Sequence, residues 1–377
     1  GLSIDWSMPK FDLPDLELDL SITAFDGLLV KLRILISMIQ VLSQLELVYS
    51  IPFPNFYTKL LKWVGLLELN FVSLLPLGCV VSFNFHASLA LRTLMLPAFA
   101  VVPLALRCAQ IVTNKKWRRR LQAGIDICSG LLFLSLFLIY PSTSAAIFAT
   151  FQCKELSDGS SWLRADLSID CTSPEHIGVQ TYAVAMVVLY PIGTPLFYYF
   201  LLRRNRARLE ELQANQALRV QLLDKVRAEG DYKAARVSSG SRQVPWVISK
   251  KERAELPVGT LRKLRQLERE EERGRQGLPG SVSKLLKGYE LRAWWFEIFE
   301  CGRKLAVACL PVFFTPSGSA TQLVFGLMIC FLCFGAYVHF DPYEDRGNDA
   351  VARLCQTQIF FSLLASVAIA SDDGANA

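Results

Sequence analysis

The sequence predicts an all-α polytopic membrane protein with about eight transmembrane helices, a short extracellular β or loop element and a helical cytosolic insertion. Hydrophobic residues make up 52 % of the chain and charged residues only 20 %, which is less charge than a soluble protein of this length carries. Two apolar runs, 126–151 and 177–202, each reach the ~20 residues that a spanning helix needs. The hydrophilic stretch between them must therefore lie outside the hydrocarbon.

The first segment, residues 1–27, is acidic, and we expect it to lie outside the membrane. Its alternating run from Asp15 to Ile22 has the period of two that is typical of a half-buried strand. The chain begins without Met and without a signal-peptide pattern, so we expect it to be a processed or truncated piece of a longer protein.

The second segment, residues 28–202, contains five predicted spans: about 27–49, 64–85, 87–112, 126–151 and 177–202. The fifth span is interrupted by Pro191, Gly193 and Pro195, which should leave backbone groups unpaired and kink the helix. The kink could act in gating or in packing, and we favour static packing.

The outward loop, residues 152–176, has a cysteine near each end, Cys153 and Cys171. Its acidic balance and its Asp-Gly turn fit a disulfide-closed loop on a non-cytosolic face, so we predict that the two cysteines are bonded. The acidic side chains could ligate calcium, but their spacing matches no calcium loop, and a solvated acidic turn is the better interpretation.

The third segment, residues 203–292, is hydrophilic, with 22 Lys and Arg against 12 Asp and Glu, and its Leu-rich runs predict cytosolic helices. Three more spans, about 293–314, 320–340 and 351–370, lie in the last segment, residues 293–377. The turns that join them are short, so these helices should be antiparallel neighbours.

Basic clusters set the predicted orientation through the positive-inside rule. The two clusters, at residues 115–120 and 203–208, are separated by two spans, so both should lie in the cytosol. Eight spans then place both termini outside. We expect these residues to face anionic lipid head groups: Lys115, Lys116, Arg118, Arg119, Arg120, Arg203 and Arg204.

The sixth span carries Glu297, Glu300, Arg303 and Lys304, and helical spacing makes an ion pair available between Glu300 and the two following cations. These residues could couple the cytosolic segment to the bundle, or they could be structural anchors with snorkelling side chains, which is the interpretation we favour. We find no catalytic, metal or cofactor constellation and predict neither an enzyme nor a nucleic-acid partner.

Several segments resemble one family: Tyr140–Cys153, Leu163–Cys171, Tyr190–Pro195, Glu300–Lys304 and Asp341–Tyr343. They are similar to the membrane region of large surface proteins of algae, oomycetes and other protists. In those proteins, cysteine-rich or epidermal-growth-factor-like repeats precede a helical bundle described as transient-receptor-potential-like. The resemblance covers about residues 28–370 and implies an integral protein of the plasma or ciliary membrane.

Two functions follow as hypotheses. The first is an anchor or receptor module that holds an ectodomain and contacts membrane or extracellular proteins through its outward loop, with a homo-oligomer as one open arrangement. The second is a transient-receptor-potential-like channel or transporter with an unconventional pathway. We favour the first, because the turn Thr315–Gly318 is too short for a pore helix and selectivity filter.

Overall fold

A computed structural model of the protein describes residues 22–49, 59, 84–112, 114–229, 256–313 and 319–375. Within these ranges the chain is almost entirely helical, and the strands form one two-stranded sheet. The elements are α1 (Ile22–Tyr49), α2 (Phe85–Val112), α3 (Lys115–Ala149), β1 (Cys153–Glu155), β2 (Ser161–Leu163), α4 (Pro174–Val187), α5 (Gly193–Arg204), α6 (Arg206–Glu229), α7 (Val258–Gln276), α8 (Gly280–Leu286), α9 (Phe296–Ala308), α10 (Ala320–Phe340) and α11 (Arg346–Ala375).

Six stretches in the described ranges are long and apolar enough to cross a membrane: Gly27–Leu45, Phe85–Val112, Arg120–Ala149, Pro174–Arg204, Thr321–Phe340 and Arg346–Ala368. By the length and composition of these helices, the chain is an integral membrane protein. The prediction of eight spans is confirmed only for these six. The predicted span 64–85 lies outside the described residues apart from its last two, and so does the predicted strand apart from Ile22, which begins α1.

The predicted sixth span is divided in the structure. Helix α9 has 13 residues, about 20 Å of rise, and a 3₁₀ turn follows at Leu310–Phe313. Pro311 explains the division, because it has no backbone N–H and it biases the residue before it away from the α conformation. Helix α9 alone is shorter than a bilayer crossing, although Phe313 beyond it packs against Phe148 at the far end of α3.

Helix α1 runs in the direction opposite to our expectation. Near its start, Val30 packs in one cluster with Tyr289 and Tyr343, beside the end of the basic segment. Near its end, Leu45 packs with Phe148, close to the outward loop. The start of α1 therefore lies on the same side as residues 203–292. The expected placement of both termini outside assumed eight alternating spans, and it conflicts with this contact pattern at the beginning of α1.

Among the apolar clusters of the described residues, two layers join α1 to α9. One cluster joins the second half of α1 to α3, α9, α10 and α11 through residues such as Val41, Phe148 and Ile359. The other joins the first half of α1 to the start of α9 and to the turn between α10 and α11 through Phe296, Tyr337 and Tyr343. Helix α9 takes part in both layers, which places its polar face inside the bundle.

The predicted interruption of the fifth span is a π-helical turn at Val188–Ile192, between α4 and α5. Pro191 cannot donate a backbone hydrogen bond, and its carbonyl oxygen accepts one from Tyr140 Oη of α3 at 3.1 Å. A Cβ at Gly193 would lie 3.0 Å from the Val188 carbonyl oxygen, so a small residue is needed there. Pro195 lies in the first turn of α5. A side chain of the neighbouring helix α3 thus hydrogen-bonds to a backbone carbonyl at the interruption.

Candidate functional site

Polar side chains of α1 and α9 face each other inside the bundle. On α1, Arg33, Ser37 and Gln40 follow the i, i+4, i+7 spacing of one helical face. On α9, the corresponding face carries the four charged residues that the sequence singled out, all of them buried. We call the following residues the buried charge cluster, in which Arg33 is half-buried and the others are buried: Arg33, Ser37, Gln40, Glu297, Glu300, Arg303, Lys304 and Tyr337.

The first connection in the cluster joins α1 to the start of α9. Arg33 Nη2 lies 2.5 Å from Glu297 Oε2, and the same carboxylate oxygen accepts a hydrogen bond from Tyr289 Oη at 3.0 Å. The Arg33 guanidinium also stacks 5.0 Å from the centre of the Phe137 ring of α3. Contacts with a carboxylate and with aromatic faces compensate the partial withdrawal of the Arg33 charge from water.

The second connection is the ion pair that helical spacing made available. Arg303 Nη2 donates to Glu300 Oε2 at 2.8 Å and to Ser37 Oγ of α1 at 3.0 Å. Tyr337 Oη of α10 donates to the other oxygen of Glu300. Glu300 thus links α1, α9 and α10, while Arg303 Nη1 is buried and has no hydrogen-bond partner in the structure.

The third connection continues toward α3. Lys304 Nζ donates to Gln40 Oε1 at 3.0 Å and lies 4.1 Å from the centre of the Phe137 ring. Gln40 Nε2 in turn donates to the carbonyl oxygen of Leu138 at 2.9 Å. The cluster therefore contains two carboxylates and three cations and connects four helices.

We had expected the charged side chains of α9 to snorkel to water, and in the structure they do not. Glu297, Glu300, Arg303 and Lys304 are each at most 6 % exposed, and their charged ends point to protein groups. The cavity within the cluster has a volume of about 20 Å³, room for about one water molecule. This arrangement fixes the position of α9, and the described cavity beside Glu300 and Arg303 is too small to admit a substrate.

The outward loop is a second organised region. Cys153 and Cys171 form the predicted disulfide, and β1 and β2 pair antiparallel with Cys153 opposite Leu163. Three carboxylates, Asp158, Asp166 and Asp170, each accept hydrogen bonds from the hydroxyl and backbone N–H two residues later. These bonds hold the pKa of each carboxyl below its usual value. The acidic residues thus form Asx-type turns, a role that the repeated Asp-x-Ser/Thr pattern could have indicated.

Two histidines that are far apart in sequence meet beneath this loop. His86 Nε2 lies 3.0 Å from His176 Nδ1, and the imidazole rings are stacked. The backbone N–H of Phe85 donates to Asp166 Oδ2 at 3.1 Å. These contacts join the start of α2 to the outward loop. The histidine contact could not be predicted from the sequence, because neither residue belongs to a local motif.

The two basic clusters lie at one end of the bundle, because α3 runs antiparallel to α4 and α5 with Phe133 against Tyr198 and Tyr140 against Pro191. Arg118, Arg120 and Arg204 are exposed, and Arg203 donates to Tyr199 Oη at 2.9 Å. The side chains of Lys115, Lys116 and Arg119 lie outside the described residues. Contact of these clusters with lipid head groups stays a prediction.

Comparisons of the chain with protein-family models, with curated proteins and with solved structures give no match. The functional argument accordingly depends on the geometry of the chain itself.

Proposed function

We propose that this chain is a membrane-embedded anchor or receptor module of a larger surface protein in the plasma or ciliary membrane, of the transient-receptor-potential-like type that its sequence resembles. It would hold an ectodomain and contact partners through its outward loop. The observation that carries this proposal is the buried charge cluster. Its charges are engaged with protein groups of four helices, and such an arrangement favours a fixed joint over a conduction path.

The position of α9 in the chain supports a coupling role for this joint. Helix α9 directly follows the basic cytosolic segment. The stretch just before this helix is tied to the turn between α10 and α11: Glu290 N–H donates to the Pro342 carbonyl oxygen at 2.8 Å, and Glu344 N–H donates to the Gly288 carbonyl oxygen at 3.0 Å. Movement of the basic helices would therefore reach the buried charge cluster through few intermediate contacts.

A salt bridge connects the basic helices themselves to this turn. Arg275 of α7 lies 2.8 Å from Glu344 and 3.2 Å from Glu271, which in turn pairs with Arg219 of α6 at 2.8 Å. The helices α6 and α7 thus act on the same turn that holds the start of α9. We propose that partners of the cytosolic segment signal to the bundle along this route.

The Arg275→Ala variant tests the route. We expect the amide protons of Glu290 and Glu344 to exchange up to about fivefold faster, because a partly exposed pair contributes about 1 kcal/mol or less. The measurement is amide hydrogen exchange of the purified full chain, with Arg206→Ala as the matched control, since Arg206 pairs only with Glu210 on the surface of α6. Unchanged exchange at both amides would remove this route from the proposal.

The alternative function is a channel or transporter, and one observation favours it. The cluster holds three cations and two carboxylates, and Arg303 Nη1 has no hydrogen-bond partner among the described residues, as in a site awaiting an anionic group. Intramembrane ionisable residues often mark such pathways.

Ion flux distinguishes the two functions. Liposomes that contain the purified full chain should show the same K⁺, Na⁺, Ca²⁺ and Cl⁻ leak as empty liposomes, because each charged group of the cluster contacts protein groups and the cavity among them has room for about one water. The measurement is dye-reported flux, with a non-selective pore-forming peptide as the positive control for all four ions. A leak that the full chain raises and Arg303→Met abolishes would decide for the channel or transporter.

A further inference from the structure

An apolar groove lies between α1, α3 and α8 on the outer surface of the bundle. We call it the α1–α3 groove, and its cavity volume is about 510 Å³. Its walls are mainly aliphatic and aromatic and include Leu29, Leu32, Phe133, Leu134 and Leu285. Leu29, Leu32 and Leu134 are exposed, so the groove opens sideways on the face that a bilayer would cover. A volume of this size is typical of a site for a small amphiphilic ligand.

Two lysines line the groove where the basic segment meets the bundle. Lys284 belongs to α8, and Lys287 follows that helix. Lys284 Nζ donates to the Asp126 carbonyl oxygen of α3 at 3.0 Å, which uses one of its three N–H donors. A Cβ at position 130 would come within 2.7 Å of Lys284 Nζ, so Gly130 lets the ammonium lie close against α3. The lysine head is thus held at the edge of the groove.

The remaining charges of the groove cancel. Arg33 and Glu297 also line it, and they neutralise each other through their 2.5 Å contact. Among the described residues that line the groove, the two lysines therefore leave an excess of positive charge at one end, while the walls stay apolar. A free phosphate or other soluble anion would leave these apolar walls uncovered, and a zwitterionic lipid would bring its own cation toward the lysines.

We propose that the α1–α3 groove binds one anionic phospholipid from the leaflet on the side of the basic segment. The acyl chains cover the apolar walls, and the head-group phosphate lies between the Lys284 and Lys287 ammonium groups. Anionic lipids are concentrated in the cytoplasmic leaflet, where juxtamembrane cations attract them. This site is separate from the exposed basic clusters at the ends of α3 and α5, and it does not depend on whether the bundle is an anchor or a channel.

Equilibrium binding to the detergent-solubilised full chain tests the proposal. A phosphatidylserine with a fluorescent acyl chain is the probe, and its anisotropy is followed during titration and during competition with unlabelled phosphatidylserine, phosphatidylcholine or water-soluble glycerophosphoserine. Wild type should bind the probe with one-site stoichiometry. Phosphatidylserine should displace it at least tenfold better than phosphatidylcholine, and glycerophosphoserine should not displace it.

Three variants give the test its specificity. Lys284→Ala/Lys287→Ala should lose about tenfold or more in affinity, as expected for two cations near a lipid phosphate. Leu134→Trp fills the groove from its exposed side, keeps both lysines and should also lose at least tenfold. Arg262→Ala/Lys263→Ala removes the same charge from exposed positions of α7 and should bind as wild type does.

Several results would contradict the proposed lipid site. Equal losses for the two double variants would mean general electrostatic adsorption, and wild-type affinity in Leu134→Trp would exclude the groove as the place of binding. Displacement by glycerophosphoserine would show that a soluble anion is the ligand. Near-ultraviolet circular dichroism of each variant shows whether it is folded, and an unfolded Leu134→Trp is replaced by Leu32→Trp, which fills the same groove from α1.

Discussion

Replacement of Glu300 by Ala should lower the free energy of unfolding by about 3–5 kcal/mol, the usual cost of leaving one member of a buried ion pair without its partner. Glu300 accepts hydrogen bonds from Arg303, from Ser37 of α1 and from Tyr337 of α10. Without this carboxylate, the buried Arg303 guanidinium keeps only its contact with Ser37. The measurement is a denaturant titration of the purified chain in mixed micelles.

The matched control is Glu210→Ala. Glu210 pairs with Arg206 on α6 at 2.6 Å, but both side chains are more than half exposed. Solvent screens such a pair, so its loss should change the free energy of unfolding by no more than about 0.5 kcal/mol. A comparable loss in both variants would mean that the Glu300 effect does not arise from burial.

A double variant separates the cost of burying the ion pair from the cost of leaving one of its charges unpaired. Glu300→Met/Arg303→Met removes both charges and keeps similar volume, so it should recover most of the stability that Glu300→Ala loses. If the double variant is as unstable as the single one, the residual charges of Lys304 or Arg33 depend on Glu300 more than the distances indicate. The cycle therefore measures how far the cluster acts as one unit.

The sequence predicted part of this cluster and missed the rest for a physical reason. Spacing along one helix is visible in sequence, so the pair of Glu300 and Arg303 could be foreseen. The partners Arg33, Gln40 and Tyr337 come from other helices, and helical periodicity does not say which faces meet. Burial was misjudged for the same reason, because a charge near a helix end can either snorkel or find a partner, and only packing decides between them.

The fold class was easier to predict than the direction in which α1 runs through the bundle. Apolar length and composition predicted the crossing helices, and paired cysteines around an acidic loop predicted the disulfide, because both are local properties. The direction of α1 depended on counting every span. A count of apolar runs does not show the division at Pro311 or the packing of Val30 beside Tyr289. One miscounted span is enough to reverse the direction expected for α1.

Removal of the disulfide should be the second large effect. The bond closes a loop with a sequence separation of 18 residues, and a loop of this length should contribute about 3 kcal/mol through the entropy of the unfolded chain. Cys153→Ser/Cys171→Ser should therefore lose about this much in the same titration. Cys108→Ser is the control, because Cys108 is an exposed free cysteine on α2 and its replacement should change little.

Proteolysis then shows where the disulfide acts. The disulfide joins Cys171 to Cys153 at the start of β1, and the backbone N–H of Cys171 donates to the Ser161 carbonyl oxygen of β2 at 2.9 Å, so the end of the loop is held against the hairpin. Trypsin should cut the double variant at Lys154 and Arg164 much faster than it cuts wild type, while Cys108→Ser should resist as wild type does. Wild type without reductant should also leave Cys153 and Cys171 unreactive toward maleimide. Quantitative labelling of either cysteine, or equal cleavage of the double variant and wild type, would contradict a loop that the disulfide holds in place.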